Sequence, residues 1–293
     1  MPLINRLLII GVGLIGGSLA RALKKAEACK EIVGSDRNVA QLNKAIELGV
    51  IDRYEIDIKK AVAGADMVVL AAPVGSTEAI LRQLKGHLDA NTVITDVGST
   101  KQSVIEAARA AFGKVPGNFV PGHPIAGTEQ SGVEASSAQM FQQRRVVLTP
   151  LPETDTQALN TVRRMWEQAG AEVVQMDARA HDEILAATSH LPHVLAYTLV
   201  DTLARMEQHA DMFRFAAGGF RDFTRIAASD PLMWRDICLA NRVAIVKMIE
   251  KFSADLNHFA AALRDEDSAA LLALFSRAKA ARDGLDNFEL RNL

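Results

Sequence analysis

Three glycines near the amino terminus have the spacing of a phosphate-binding loop. Residues 11–16, GVGLIG, follow the apolar run at residues 6–10 and open a segment with helical periodicity. In such a loop the glycines allow a tight turn, close approach of the backbone to a pyrophosphate, and close packing of helix on strand. The free N–H groups at the start of the helix then face the phosphates. The residues predicted to contact a dinucleotide are Gly11, Gly13, Leu14, Ile15 and Gly16.

Asp36 indicates which dinucleotide would bind. It ends the second predicted strand, 25 residues after Gly11, where a carboxylate accepts hydrogen bonds from the adenosine ribose hydroxyls. Its charge would repel the additional 2′-phosphate of NADP, so we predict NAD, although the neighbouring Arg37 could weaken that repulsion. Pro73 closes the strand predicted to begin at residue 67 and is a further candidate for cofactor contact, although prolines also end strands for structural reasons. A glycine-rich turn without a ligand is the alternative interpretation.

A histidine and a serine are candidates for proton transfer. Residues 122–129, GHPIAGTE, form a predicted loop in which prolines and glycines surround His123. Histidine titrates near neutral pH and can take the proton of an alcohol that is oxidised to a carbonyl. On its own, a loop histidine can equally be a surface or structural residue. Ser99, in the segment at residues 95–101, has Gln102 three residues later, which is also the pattern of a capping box at a helix start.

Four blocks of sequence follow the glycine-rich loop in a fixed order. They are GSTK at 98–101, HPIAGTE at 123–129, SHLPH at 189–193, and DFTRIA at 222–227 followed by DPLMWRD at 230–236. Together they resemble the signature blocks of the prephenate/arogenate dehydrogenase family, and the resemblance runs from Leu7 to beyond Arg242. It implies an NAD-dependent enzyme of tyrosine formation that oxidises and decarboxylates prephenate, arogenate or both.

The resemblance also implies roles for individual residues. His123 resembles the histidine that hydrogen-bonds the ring hydroxyl and takes its proton, while hydride leaves the hydroxyl-bearing carbon for the nicotinamide. Ser99 resembles the serine that contacts both the hydroxyl region and this histidine. Arg225 resembles the arginine that binds a substrate carboxylate, for which a guanidinium offers a matching fork of donors. Without the resemblance, Arg225 would be interpreted as a solvated helix charge.

Further positions match the substrate pocket of the family. His193 matches a histidine that helps to bind substrate, and His190 and Thr128 are neighbouring candidates. His190 and His193 would share a helix face, but no third ligand of suitable spacing accompanies them, so no metal is predicted. Pro192 predicts a kink there, and one of the two histidines could cap a freed carbonyl. The residues that match an ionic and aromatic gating network at the pocket mouth are Asp222, Glu129 and Trp234.

The elements that position these residues change character near residue 176. Up to that point short β-branched runs alternate with helical patterns, which is typical of a parallel α/β sheet. From residue 178 to 287 apolar residues recur at helical spacing. The prediction is a Rossmann-type, doubly wound sheet domain at 1–176 and an all-helical substrate-binding and dimerisation domain at 177–293. The predicted strands are 7–10, 31–35, 67–71, 92–95, 118–120, 145–149 and 172–175, and the predicted helices before residue 176 are 16–27, 39–48, 77–84, 103–111 and 155–169.

Composition narrows the class of partner. The 293-residue chain carries a net charge of −2 with both signs interspersed, so a basic face for nucleic acid is not expected. The two cysteines, Cys29 and Cys238, are far apart in sequence, which favours a reducing compartment, and no apolar run has the length of a membrane span. We therefore expect a cytoplasmic enzyme with a small-molecule substrate, and a homodimer as in the family.

Two other interpretations remain open at this point. One is another dehydrogenase with the same order of domains, such as a β-hydroxyacid dehydrogenase or a pyrroline-carboxylate reductase, but these families lack the block at 123–129. The other is a non-catalytic NAD-binding regulator, against which the intact His123, Ser99 and Arg225 argue. The sequence does not distinguish prephenate from arogenate, because no motif can be assigned to the keto or amino group of the side chain.

Overall fold

A six-stranded parallel sheet forms the centre of the amino-terminal part of the chain. The computed structural model describes residues 2–207 and 209–290. Within the sheet the strand order is β3-β2-β1-β4-β5-β6, and all neighbours are parallel. In this doubly wound order a dinucleotide binds at the carboxyl ends of the strands, where the order reverses between β1 and β4. The predicted fold class is confirmed. The strands are β1 (Ile4–Ile10), β2 (Cys29–Ser35), β3 (Arg53–Tyr54), β4 (Met67–Leu70), β5 (Val93–Asp96) and β6 (Phe119–Val120).

Both faces of this sheet are covered by apolar side chains. Successive side chains of a strand point to opposite sides, so an uninterrupted apolar strand contributes to both faces. In β1, Leu7 and Ile9 belong to one buried cluster, and Leu8 and Ile10 belong to the other. The short β3 and α3 were not predicted, because two and four residues carry too little periodicity. The helices of this part are α1 (Leu14–Lys25), α2 (Val39–Glu47), α3 (Ile58–Ala61), α4 (Thr77–Leu84), α5 (Gln102–Phe112) and α6 (Thr156–Gln168).

A second, three-stranded sheet contains the candidate histidine. Its strands are β7 (Gly122–Pro124), β8 (Arg145–Leu148) and β9 (Glu172–Gln175), with β7 antiparallel to β8 and β8 parallel to β9. The predicted loop at 122–129 is therefore wrong over its first three residues, since His123 lies in β7 opposite Val147. The sequence did not predict this strand because it contains Pro124, and proline disfavours strands. An edge strand such as β7 nevertheless tolerates proline.

From Ala178 to Leu290 the described part of the chain consists of helices joined by short turns, as predicted. A π-helical segment, Ala186–His190, lies between α7 and α8. It provides the irregularity expected from Pro192, which lies in the first turn of α8 and has no N–H to donate. The helices are α7 (Ala178–Leu185), α8 (Leu191–Ala204), α9 (His209–Arg214), α10 (Gly218–Thr224), α11 (Pro231–Ala240), α12 (Arg242–Arg264) and α13 (Ser268–Leu290).

Contacts divide the chain into two compact units, Met1–Ile245 and Val246–Leu293. In the second unit, the rings of Phe259 and Phe275 meet edge to face with centroids 5.9 Å apart. This unit also carries exposed apolar side chains, among them Leu256, Leu263 and Leu272. Among the described residues, no helix has both the length and the apolar character required to cross a membrane.

Candidate active site

The glycine-rich loop has the geometry that the sequence predicted. Gly11 has a positive φ of 97°, and a Cβ atom there would lie 2.5 Å from the carbonyl carbon of Ala71. A Cβ on Gly16 would lie 2.2 Å from the Gly11 oxygen. A Cβ on Gly13, in contrast, would meet no protein atom within 4 Å. The first and third glycines are thus required for packing, and the second borders open space that a ligand can approach.

Asp36 lies beside this loop, directly after β2. Its carboxylate accepts hydrogen bonds from the backbone N–H of Val12 at 3.1 Å and of Asn38 at 2.9 Å. Helix α1 has no side-chain cap at Gly13, so its first N–H groups are available to an anion. Pro73 is exposed and lies two residues after Ala71, whose backbone packs against Gly11. Arg37 is exposed and follows Asp36 directly. The loop, the helix start and the carboxylate together fit a dinucleotide.

His123 is buried and hydrogen-bonded to a second histidine. Its Nδ1 lies 2.9 Å from Nε2 of His181, and Nδ1 of His181 lies 2.8 Å from the Asp182 carboxylate. Burial lowers the pKa of His123 well below the ordinary histidine value, and the neighbouring His181 and Lys101 lower it further. His123 is therefore a neutral ring at neutral pH, and a neutral imidazole can accept a proton.

Asp182 from α7 also caps helix α5. The backbone N–H groups of Lys101 and Gln102 donate to its two carboxylate oxygens at 2.8 and 2.9 Å. Burial opposes ionisation of Asp182, but hydrogen bonds from His181 and from these two N–H groups outweigh it, so its pKa is lowered. The capping box proposed for Ser99 and Gln102 is therefore wrong, because the cap comes from a residue 80 positions further along the chain.

A buried ion pair holds β5 and β7 together. The Lys101 ammonium donates to the Asp96 carboxylate and to the Gly122 carbonyl oxygen, the latter at 2.6 Å. The other Asp96 oxygen accepts the N–H of Gly122 at 3.0 Å. Lys101 is fully buried, and burial lowers its pKa although Asp96 opposes the shift. Because Gly122 precedes His123, this pair fixes the candidate base at the carboxyl end of β5.

Ser99 lies close to these residues in sequence but has no direct bond to the histidine. It is half-buried in the turn after β5, next to Gly98, whose N–H donates to Asp96 at 2.8 Å. Among the residues that the structure describes, no hydrogen bond joins Ser99 to His123.

The two histidines of the SHLPH block have different surroundings. The side chain of Asn241 donates to the Asp182 carbonyl oxygen at 2.8 Å and contacts Nδ1 of His190 at 3.1 Å. Burial lowers the pKa of His190 to about 4. Nδ1 of His193 lies 2.8 Å from the Ser189 carbonyl oxygen. The His193 ring stacks on the Trp234 ring, with the two centroids 3.8 Å apart. His193 thus contacts a carbonyl of the π-helical segment, as proposed for one of the two.

An exposed ion pair joins two of the sequence blocks. Arg225 donates to the Glu129 carboxylate at 2.8 Å, and more than half of the Arg225 side chain is exposed. Thr128 is exposed, and its hydroxyl accepts the N–H of Gln130 at 3.3 Å. Asp222 is exposed and makes no ion pair within the part of the chain that the structure describes. The structure therefore brings Glu129 to Arg225, and Trp234 to His193, but leaves Thr128 and Asp222 outside these contacts.

Two family models and several known proteins match this chain. The family model described as prephenate dehydrogenase, nucleotide-binding domain, matches residues 19–175, and that described as prephenate dehydrogenase, dimerization domain, matches residues 177–277. The chain is 38% identical over 287 residues to the cyclohexadienyl dehydrogenase of Zymomonas mobilis, covering 96% of both proteins. It is 38% identical to the prephenate dehydrogenase of Bacillus subtilis, covering 96% of this chain and 76% of that protein. The chain belongs to the prephenate dehydrogenase family.

A solved structure of this family has the same fold. The crystal structure of prephenate dehydrogenase from A. aeolicus in complex with hydroxyphenyl propionate and NAD⁺ matches with a TM-score of 0.89 and 38% identity, covering 96% of this chain and 98% of that chain. Membership of the prephenate dehydrogenase family confirms the expected resemblance. It also argues against the β-hydroxyacid dehydrogenase and pyrroline-carboxylate reductase alternatives.

In this member of the prephenate dehydrogenase family, the sequence interpretation missed several buried polar residues near His123. A signal for two of them was present, because the buried positions of α7 are Ala178, His181, Asp182 and Leu185, and a histidine and an aspartate thus occupy positions of helical core spacing. A buried polar residue at a core position needs a partner. Two of these residues, Asp96 and Lys101, lie in the segment at 95–101 that the sequence singled out but had no predicted role, and the others are His181, Asp182 and Asn241.

Proposed function

We propose that this chain is an NAD-dependent dehydrogenase that oxidatively decarboxylates prephenate, arogenate or both. The observation that carries the proposal is the buried, neutral His123 at the carboxyl end of β5, on the side of the sheet where ligands of doubly wound folds bind. The names of the relatives support the same substrate class. The proposed reaction belongs to tyrosine formation.

NAD fits the residues of the amino-terminal loop. Gly13 and the uncapped start of α1, with Leu14 and Ile15, would hold the pyrophosphate, and Asp36 would accept the ribose hydroxyls. When bound, the nicotinamide supplies the hydride acceptor. Arg37 and Pro73 remain proposed neighbours of the cofactor.

His123 holds a proton during the reaction. The substrate O–H bond breaks as Nε2 of His123 takes the proton. Hydride leaves the carbon that bears this hydroxyl, and the carbon becomes a carbonyl carbon. The bond to the ring carboxylate then breaks and carbon dioxide leaves, while its electron pair completes the aromatic ring. The resulting phenolate oxygen can take the proton back, so His123 returns to its neutral form and the overall reaction balances. Ser99 is proposed to orient the hydroxyl beside His123.

The remaining site residues are proposed to bind and enclose the substrate. In this structure the Arg225 guanidinium donates to the exposed Glu129 carboxylate. In the complex, Arg225 would bind a substrate carboxylate in its place. His193, stacked on Trp234, would line the same pocket with His190. Thr128 remains a candidate for substrate contact. The gating network is proposed to comprise Glu129, Trp234 and Asp222.

Assembly and location complete the proposal. We place the domain boundary at residues 176/177 and expect a homodimer through 177–293, which the family model for the dimerization domain supports. Exposed apolar side chains on α12 and α13 provide surface for such contact. Light scattering at micromolar concentration should therefore give twice the mass of the chain. Because Cys29 and Cys238 are free thiols, we propose a reducing compartment, the cytoplasm.

The direct experiment is turnover by the purified full chain. With NAD and prephenate, or NAD and arogenate, the protein should form NADH, which is followed by its absorbance, and release carbon dioxide. The molar amounts of the two products should be equal. NAD binding without turnover of either substrate would contradict the enzyme proposal and favour the non-catalytic regulator.

A further inference from the structure

A continuous chain of hydrogen bonds links His123 to a buried carboxylate. From His123 it runs through His181 to Asp182, with donor–acceptor distances of 2.9 and 2.8 Å. All three side chains are buried, and His181 is fully so. Neither His181 nor Asp182 was among the residues predicted to act on substrate. Neither residue contacts the substrate in the proposed mechanism, although His181 bonds the proposed base and Asp182 bonds His181.

The positions of the protons follow from the carboxylate end of this chain. Asp182 accepts two backbone N–H groups, and its lowered pKa keeps it ionised at neutral pH. An ionised carboxylate can only accept, so Nδ1 of His181 must carry a proton and donate it. In the neutral form of His181 the other nitrogen, Nε2, is an acceptor, and in that form Nδ1 of His123 donates to it. Neutral His123 is consequently left with an unprotonated Nε2.

We propose that the Asp182–His181 pair is a positioning device that fixes the tautomer of His123, so that Nε2 is the nitrogen which receives the substrate proton. This inference rests on the proposed role of His123 as the base. When the substrate O–H bond breaks and the Nε2–H bond forms, no other proton has to move. The positive charge on His123 then lies two hydrogen bonds from the Asp182 carboxylate, which stabilises it. The charge disappears when the proton returns to the phenolate oxygen.

The other charged groups around His123 make such a counter-charge necessary. Lys101 precedes α5, and His181 and His190 come from α7 and the π-helical segment; all three lower the pKa of His123 by their charge or potential charge. The acidic groups in this cluster are Asp96, bonded to Lys101, and Asp182, bonded to His181. Since Asp96 is already paired, Asp182 is the carboxylate that serves the histidine pair.

Two amide substitutions at position 181 separate the role of the hydrogen bond from the role of packing. The amide of His181→Asn ends near the position of Nδ1, so it can still bond Asp182 but does not reach His123. The amide of His181→Gln ends near the position of Nε2, so its oxygen can still accept from Nδ1 of His123. Both variants are polar and of similar size, so they impose similar demands on folding, which circular dichroism and NAD affinity verify.

We expect kcat of His181→Asn to fall by about 10²-fold, within the usual contribution of a correctly arranged general base. His181→Gln should lose about tenfold less, and KM should change little in both. His87 is an exposed histidine, and among the described residues its side chain has no hydrogen bond to His123, His181 or Asp182, so His87→Gln should retain the rate of the unmodified protein. Equal loss of kcat in His181→Asn and His181→Gln would overturn the proposal.

A second measurement reports the tautomer directly and does not depend on turnover. In ¹⁵N spectra of the full chain labelled at histidine, at pH 8, the resonances missing from His123→Asn identify His123. Its Nδ1 should be protonated and its Nε2 unprotonated, and His181→Asn should populate the opposite tautomer. A proton on Nε2 of His123 in the unmodified protein would overturn the inference. Full activity of His123→Asn would instead refute the proposed base, so the two failures are distinguishable.

Discussion

Replacement of Lys101 by methionine should strongly destabilise the protein. Lys101 is fully buried, and its ammonium is bonded to Asp96 and to the Gly122 carbonyl. Methionine fills a similar volume but provides no donor. Among the described residues, the buried Asp96 carboxylate would then keep the N–H groups of Gly98 and Gly122 as its partners.

The magnitude follows from the burial of both charges. Removing one partner of a buried ion pair costs about 3–5 kcal/mol, because the remaining charge is left uncompensated in a medium of low polarity. At roughly 2–4 °C per kcal/mol for a chain of this size class, the midpoint of thermal unfolding should fall by about 6–20 °C. Asp96→Asn should also destabilise the protein, since it leaves the ammonium unpaired. The double variant should cost less than the sum of the two by about 1–3 kcal/mol.

Another lysine offers a matched control. The Lys24 ammonium also bonds an aspartate, Asp52 at 2.6 Å, and a glycine carbonyl, that of Gly49 at 3.0 Å. Its side chain is 29% exposed and that of Asp52 is 43% exposed. Lys24→Met should therefore cost at most about 1 kcal/mol, the usual value of an exposed pair.

The assay is unfolding followed by circular dichroism at one protein concentration, since any dimer would make the midpoint depend on concentration. If Lys101→Met unfolds within about 2 °C of Lys24→Met, or if the double variant is strictly additive, the reasoning about the buried pair is wrong.

Three further predictions concern the cofactor, the substrate and acid. Asp36→Ser should weaken NAD and improve NADP, because the carboxylate that repels the 2′-phosphate is gone; an unchanged ratio of the two Kd values would contradict its assigned position. Arg225→Gln should raise KM for prephenate about tenfold or more at nearly constant kcat, whereas Glu129→Gln, which frees the guanidinium, should not raise it. His190 has a folded pKa of about 4, below its ordinary value of 6.5, so its contribution to stability is present above pH 6.5 and is lost as the pH falls from 6.5 through about 4. The free energy of unfolding should decrease over that window, by less in His190→Gln, and an identical decrease in both would refute the assignment.

Local sequence signals were sufficient to predict the glycine-rich loop and the place of Asp36 beside it. The spacing of Gly11, Gly13 and Gly16 and the position of Asp36 reflect constraints within a single βαβ unit, and the structure reproduces their close packing. The change to helices after residue 176 was also visible, because the hydrophobic period changes there.

Contacts between distant parts of the chain were not visible in the same way. The cap of α5 comes from Asp182 and not from Ser99, and His123 contacts a residue 58 positions away. No local pattern encodes such pairs. Strand β7 was missed because Pro124 disfavours strand in a propensity argument, whereas tertiary pairing with β8 decides it.

The pH dependence of NADH formation in His123→Asn and in the unmodified protein tests the role of His123 most directly. Asparagine keeps a hydrogen-bonding group but cannot take a proton, so kcat with prephenate should fall by about 10²–10⁴-fold. In the unmodified protein the rate should rise with pH through an apparent pKa below the ordinary histidine value, since burial lowers the pKa of His123, and should then stay constant through pH 8. That acidic limb should be absent from His123→Asn. A limb that persists in the variant, with kcat within about tenfold of the unmodified protein, would show that another group is the base.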